Sequence, residues 1–219
     1  MNRHLETELM EDPAHVTAYA EADFSIPNQN FIQRLISLID PINFHGTALD
    51  LGCGPGEISF RFANTYLNSQ VYAVDGSKPM LDYALRVIPA HLTQRIQFIH
   101  GYIPHIELPY ADYDLIFSNS LLHHLPNPHS LWQTIKKYAH SGTKIAVMDL
   151  LRPACIDEAQ NIVHTYASTE PALLQRDFYH SLLAAFSLQE IFEQLQQAQL
   201  DFDIQQITDR HVFITGIAP

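Results

Sequence analysis

Two hydrophobic rhythms alternate through the middle of the chain. Thr47–Leu51, Gln70–Asp75, Ile96–His100, Tyr113–Ser118 and Lys144–Leu150 carry apolar residues continuously or at every second position, the mark of buried strands. Between them, Glu57–Leu67, Lys78–Val87 and His129–Tyr138 space apolar residues three and four apart, as a helix with one buried side requires. Strands alternating with helices of this length predict βαβ units and a parallel sheet covered on both faces.

The two ends read differently. Residues 1–45 predict two helical pieces; the second, Asn28–Ile39, places Phe31, Ile32, Leu35, Ile36 and Ile39 at helical spacing between Pro27 and Pro41. Beyond Leu150 the strand and helix alternation stops, and residues 151–185 read as an inserted helical segment. Its apolar positions are interrupted by polar and charged ones, which predicts a mobile lid. Ser187 is expected to cap a helix reaching about Gln197, with Glu190 completing a capping box. Short strands near Phe202–Gln206 and His211–Gly216 predict a terminal hairpin. The expected fold is α/β: one domain with a doubly wound, mostly parallel seven-stranded sheet, its last strand antiparallel. Residues 1–45 supply N-terminal helices, 46–150 the core, 151–185 the lid, and 186–219 the final helix and hairpin.

Composition narrows the partners. Twelve basic against 24 acidic residues give a formal charge of −12, with no cluster of Lys and Arg to track phosphates. Nucleic acid and anionic membrane surfaces are therefore not expected partners. No apolar run approaches the roughly 20 residues of a membrane span. The N-terminus, MNRHLETELMEDP, lacks an apolar export segment, so a cytoplasmic location is expected. Cys53 and Cys155 form no CxxC pair, which argues against a structural zinc or disulfide.

The segment with most chemistry is Ala48-Leu49-Asp50-Leu51-Gly52-Cys53-Gly54-Pro55-Gly56, an apolar strand running into three alternate glycines before a helix. Glycine is needed where the chain turns sharply and a ligand approaches the backbone. A dinucleotide loop spaced GxGxxG would need its third glycine at Glu57, and a pyrophosphate beside that carboxylate would be repelled. Asp75 ends the next strand, where an acidic side chain can accept hydrogen bonds from both hydroxyls of a ribose.

LDLGCGPGEIS followed by VYAVDGSKPMLDYA resembles the first two motifs of class I (Rossmann-like) methyltransferases that use S-adenosylmethionine (SAM). The likeness extends over about residues 45–150. It implies SAM as cofactor and S-adenosylhomocysteine as product. By this resemblance Asp50, Gly52, Cys53, Gly54 and Gly56 line the methionine part of SAM, and Asp75 holds the ribose. Gly76, Ser77 and Met80 flank the adenosine. The family usually has an acidic residue facing the adenine after the third strand; here the stretch is His100-Gly101-Tyr102-Ile103, leaving Gly101 and the backbone of Tyr102 and Ile103 for that role.

The stretch Ile116-Phe117-Ser118-Asn119-Ser120-Leu121-Leu122-His123-His124-Leu125-Pro126 resembles the small-molecule branch of the same family. The carboxyl end of a strand is where an open α/β sheet places its ligand crevice. Asn119 and Ser120 are expected to face the cofactor, with His124 beside them. Asp149 ends the fifth strand, and the arrangement is similar to sugar O-methyltransferases in which a His–Asp pair is general base and orienter. His123 and Asp149 are the candidates here, because an imidazole near neutral pKa can take the proton of an acceptor hydroxyl. The alternative is that His123 caps a turn and Asp149 begins one. Metal ligation by His123, His124 and Asp149 has no further ligand at a recognisable spacing, so no metal is expected.

Tyr19 falls where family members cover SAM with an aromatic or polar residue, or else it is a core tyrosine of an amphipathic helix. Arg152, Tyr166 and Tyr179, on or beside the lid, are candidates for the acceptor pocket. Arg152 either binds an anionic group of the substrate or pairs with one of the many acids. The expected activity is methyl transfer to a small-molecule acceptor. The alternatives are an RNA or protein methyltransferase, which the charge disfavours, and a SAM-binding regulatory or scaffold protein. The acceptor and the oligomeric state are not encoded in any recognisable motif.

Overall fold

The computed structural model describes residues 1–6 and 10–219. Among these, seven strands form one sheet: β1 Thr47–Leu51, β2 Gln70–Asp75, β3 Ile96–His100, β4 Tyr113–Asn119, β5 Ala139–Leu150, β6 Asp203–Gln206 and β7 His211–Ile217. Their order is β3-β2-β1-β4-β5-β7-β6. β1 to β5 pair in parallel, and β7 is antiparallel to both of its neighbours. This is the expected doubly wound sheet.

Alternation along the strands sends neighbouring side chains to opposite layers. Leu49 and Leu51 of β1, Ile116 of β4, Ile145 and Val147 of β5, and Val212 and Ile214 of β7 meet one layer. That layer is built by Leu131, Trp132 and Ile135 of α5 (His129–Tyr138) and by Ile191 and Leu195 of α8 (Leu188–Ala198). Ala48, Leu115, Phe117, Ala146, Met148 and Phe213 face the other way. There they meet Phe31, Ile32 and Leu35 of α2 (Ser25–Leu38), Ile58 and Phe62 of α3 (Glu57–Thr65), and Leu81 of α4 (Lys78–Val87). Each fully buried Leu or Phe of this kind stabilises the fold by about 1.5–3 kcal/mol. Both faces are covered, which explains why the strands read as nearly continuous apolar runs.

The first N-terminal helix is α1, Pro13–Ala20, capped by the Asp12 carboxylate. Residues 1–6 are not helical, and residues 7–9 of the expected helical stretch lie outside the described residues. α2 begins at Ser25, three residues earlier than expected. Pro27 falls in its first turn, where the missing N–H has no intrahelical partner to lose. β5 begins at Ala139, ahead of the expected Lys144, because Ala139 already pairs with Tyr113 across a register shift.

Residues 151–185 form α6 (Ile156–Ala167) and α7 (Ala172–Ala184), which share a small apolar cluster of Ile162, Val163, Ala167 and Leu182 with Leu150 and Ala185. The N-terminal residues bind α7. The His4 amide donates to the Leu183 carbonyl, Arg3 Nε donates to Ala184, and the Ser181 hydroxyl donates to Glu6. The Ser187 capping box is present as expected, with Glu190 as its second member. No helix among the described residues is long and apolar enough to cross a membrane.

Candidate active site

The strand order reverses between β1 and β4, so their carboxyl ends open a crevice between connections that leave in opposite directions. The glycine loop occupies this point. Gly52, Gly54 and Gly56 have φ of 78°, 52° and 88°, in the left-handed region that side chains with a Cβ avoid. The amides of Gly52 and Cys53 both donate to the Val74 carbonyl, which pins the turn to β2. A Cβ on Gly52 would press 2.9 Å from Leu121, in the loop after β4. At Gly54 it would meet nothing within 4 Å. Gly52 therefore serves packing, and Gly54 borders open space.

Asp75 lies across this loop. Its Oδ2 accepts from the Gly54 amide and its Oδ1 from the Ser77 amide, each at 2.7 Å. Burial pushes its pKa upward against these hydrogen bonds. The Gly76 amide also lowers the pKa from beside it, and a carboxylate with about four lone pairs keeps acceptor capacity for a ligand's hydroxyl. Ser77 caps α4, and its hydroxyl donates to the Met10 carbonyl. Gly76 accepts from His100 Nε2 at 3.0 Å, and the Gly101 amide donates to the Asp75 carbonyl. Asp50 is buried and accepts from the Ser59 hydroxyl at 2.5 Å; burial raises its pKa to about 7.

At the end of β4 the chain turns through Ser120, whose φ of 59° is left-handed. Asn119 Oδ1 is buried there without a hydrogen-bond partner among the described residues. A short 3-10 turn, Leu122–His124, follows. It places His123 Nδ1 2.6 Å from Asp149 Oδ1 at the end of β5, with both side chains about 2% exposed. The Leu122 amide donates to Asp149 Oδ2 and the Leu150 amide to Oδ1, so the carboxylate is oriented from three sides.

His124 turns toward Glu6 instead, with Nδ1 3.4 Å from Oε2. Burial holds His124 well below the usual imidazole range, with His123 adding to the effect. Burial raises Glu6. Arg3 donates to the carbonyls of His123 and Leu125 and stacks over Phe186 at 3.8 Å. Arg3 and Glu6 escape sequence reasoning because no local periodicity or motif marks them.

The remaining expected site residues have the following surroundings. The Cys53 side chain packs into the apolar layer beneath α2 and α3, where burial pushes its thiol up, so only its backbone belongs to the loop. Met80 is buried in α4, with its amide donating to Ser77 Oγ. Tyr102 is exposed against His100, while Ile103 packs on the core. Arg152 pairs with Glu190 at 2.8 Å and donates to the Ala185 carbonyl. It is the paired arginine of the two sequence alternatives, since the capping-box carboxylate offers a near, fixed partner. Tyr166 is exposed, its hydroxyl donating to Asp209 beneath the Arg210 guanidinium, and Tyr179 packs on the lid cluster. Tyr19 lies against Phe24, and burial with the nearby Asp75, Glu57 and Glu6 charges lifts its phenol to about 12.

Comparison with known proteins agrees with this architecture. The chain is 28% identical over 165 residues to the 27-O-demethylrifamycin SV methyltransferase of Amycolatopsis mediterranei, covering 71% of this chain and 58% of that one. It is 27% identical over 107 residues to the trans-aconitate 2-methyltransferase of Azoarcus sp. (strain BH72), covering 49% and 40%. The chain thus spans about half the length of the curated relatives it matches. The fold is similar to that of a SAM-dependent methyltransferase from Aquifex aeolicus, with a TM-score of 0.68 at 16% identity over 93% of this chain and 97% of that one. A family model described as a methyltransferase domain matches residues 42–185. That stretch carries β1 to β5, the glycine loop, Asp75 and the His123–Asp149 pair, and the chain belongs to the methyltransferase domain family.

Proposed function

We propose that the protein transfers a methyl group from SAM to an oxygen of a small-molecule acceptor and releases S-adenosylhomocysteine. The observation that carries this reading is the open space at Gly54 beside Asp75, at the point where the strand order reverses. The remaining acceptor capacity of Asp75 suits a ribose hydroxyl. The unpartnered Asn119 Oδ1 suits the ammonium of an amino-acid end, which would relieve the cost of leaving it buried alone. Glu57 at the start of α3 already supplies the anion that this helix N-terminus favours, which disfavours a pyrophosphate there.

SAM brings its own leaving group, so the chain's part is alignment, exclusion of water and removal of a proton. The acceptor hydroxyl gives its proton to His123 Nε2 as its oxygen forms the new bond to carbon. Asp149 keeps Nδ1 protonated and stabilises the resulting imidazolium. An oxygen acceptor is favoured by this pair and by the rifamycin relative, whose name places the methyl on an oxygen.

Titration calorimetry with S-adenosylhomocysteine and with NAD tests the cofactor. Binding of the former alone is expected, and Asp75→Ala should weaken it by about 1.5–3 kcal/mol, roughly tenfold or more. Binding of NAD with no response to S-adenosylhomocysteine overturns the reading.

A further inference from the structure

The loop histidines meet a carboxylate from the opposite end of the sequence. One ligating atom each of Glu6, His123 and His124 lies within 4.8 Å of the other two. With Nδ1 of His123 engaged by Asp149, its nitrogen left to bind is Nε2. Around a tetrahedral ion with bonds of about 2.0–2.2 Å, ligand atoms stand about 3.4 Å apart. The separation of Glu6 Oε2 and His124 Nδ1 is 3.4 Å, so one edge of such a site is already formed. The remaining ligand atom lies within 4.8 Å of these two, so closing the other edges needs side-chain movement.

We propose that Glu6, His123 and His124 bind a divalent transition-metal ion. Two imidazoles and a carboxylate are a ligand set for zinc, iron, manganese or cobalt. The surroundings match those of metal sites, where a ligating His donates its other ring N–H to a carboxylate. Asp149 holds His123 in this way, and the Ser181 hydroxyl holds Glu6. The Arg3 contacts with the carbonyls of His123 and Leu125 bring the N-terminal residues to the histidines, so the third ligand arrives when this segment is seated.

Three protein ligands leave a coordination position open. That position takes water or an oxygen donor of the acceptor, a part of the inference that rests on the methyl-transfer reading above. Ligation and proton abstraction at His123 Nε2 exclude one another. Metal loading therefore removes the His123 base, and turnover with a chelator present reports that base alone.

The test uses the full chain, stripped with a chelating resin and titrated with Co2+, whose visible absorption reports its ligands. One Co2+ per chain is expected, with the absorption of a nitrogen and oxygen site, displaced by one equivalent of Zn2+. Glu6→Gln, which keeps the side-chain shape, and His124→Ala should each weaken binding at least tenfold. The surface substitution His91→Ala should leave it unchanged. Absence of stoichiometric binding overturns the inference, as does undiminished binding in either Glu6→Gln or His124→Ala. S-adenosylhomocysteine binding measured on the same samples keeps the two readings apart. Its survival without Co2+ binding rejects the metal site alone, and its absence rejects the cofactor reading alone.

Discussion

Asp149 holds the imidazole of His123 at 2.6 Å from a position 26 residues away in the chain, and two backbone amides fix the same carboxylate. The pairing is possible because β4 and β5 are neighbours in the sheet, so their carboxyl ends emerge side by side. A histidine held in this way has one tautomer and one orientation, which a general base requires.

With metal removed, His123→Ala should lower the turnover number by about 10²–10⁴ while leaving S-adenosylhomocysteine affinity nearly unchanged. Asp149→Asn should act in the same direction, because it alters the tautomer without removing the ring. Single-turnover rates of both variants and of the double variant decide the matter. A pair acting as one unit loses most of its effect with the first substitution. Losses that simply add would separate the two residues.

Gly52 and Gly54 should respond to alanine in opposite ways. At Gly52 the new Cβ meets Leu121, and the positive φ adds strain, so Gly52→Ala should lower the melting temperature. At Gly54 the methyl enters open space, leaving mainly the left-handed strain of about 1–2 kcal/mol. Gly54→Ala should fold and yet bind S-adenosylhomocysteine at least tenfold more weakly. Thermal melts and calorimetry on both variants give the comparison, and equal affinity in wild type and Gly54→Ala would place the ligand elsewhere.

Asp50 should make stability depend on pH. Its carboxyl is raised from 3.8 to about 7 by burial, so the folded state keeps a proton that the unfolded state releases. Between these values the unfolded chain binds fewer protons, and stability falls as pH rises, levelling off above about 7. A tenfold difference in proton affinity between the two states corresponds to about 1.4 kcal/mol. Urea unfolding at about pH 5 and about pH 8 should show a smaller difference in Asp50→Asn than in the wild type. Parallel curves for the two proteins would remove Asp50 from the account.

The lid should exchange its amides faster than the sheet. α6 and α7 share a cluster much smaller than the two main layers, and the N-terminal residues tie α7 down through Arg3 and His4. Hydrogen exchange in 151–185 should slow when S-adenosylhomocysteine and acceptor bind, and Arg3→Ala should speed it in the free protein. Uniformly slow exchange in both free proteins would make the segment part of the core.

Features written in local contacts are legible from the chain alone. The strand and helix alternation follows from the burial of successive side chains, and the glycine loop from backbone angles that only glycine adopts freely. The Ser187 capping box needs only residues three apart. Asp75 was legible because it ends the strand that follows that loop. Which distant groups meet depends instead on the packed fold. Sequence named His123 and Asp149 as candidates, and only the pairing of β4 with β5 brought them to 2.6 Å. Sequence left two roles open for Arg152, and only the fold supplies Glu190 as the acid beside it. Glu6 was invisible, because a carboxylate in an irregular segment carries no periodicity. Its partner His124 is found only after the chain has folded back across the lid. Local rhythm encodes elements through neighbours in the chain, whereas a site gathers side chains whose proximity exists only once those elements are packed.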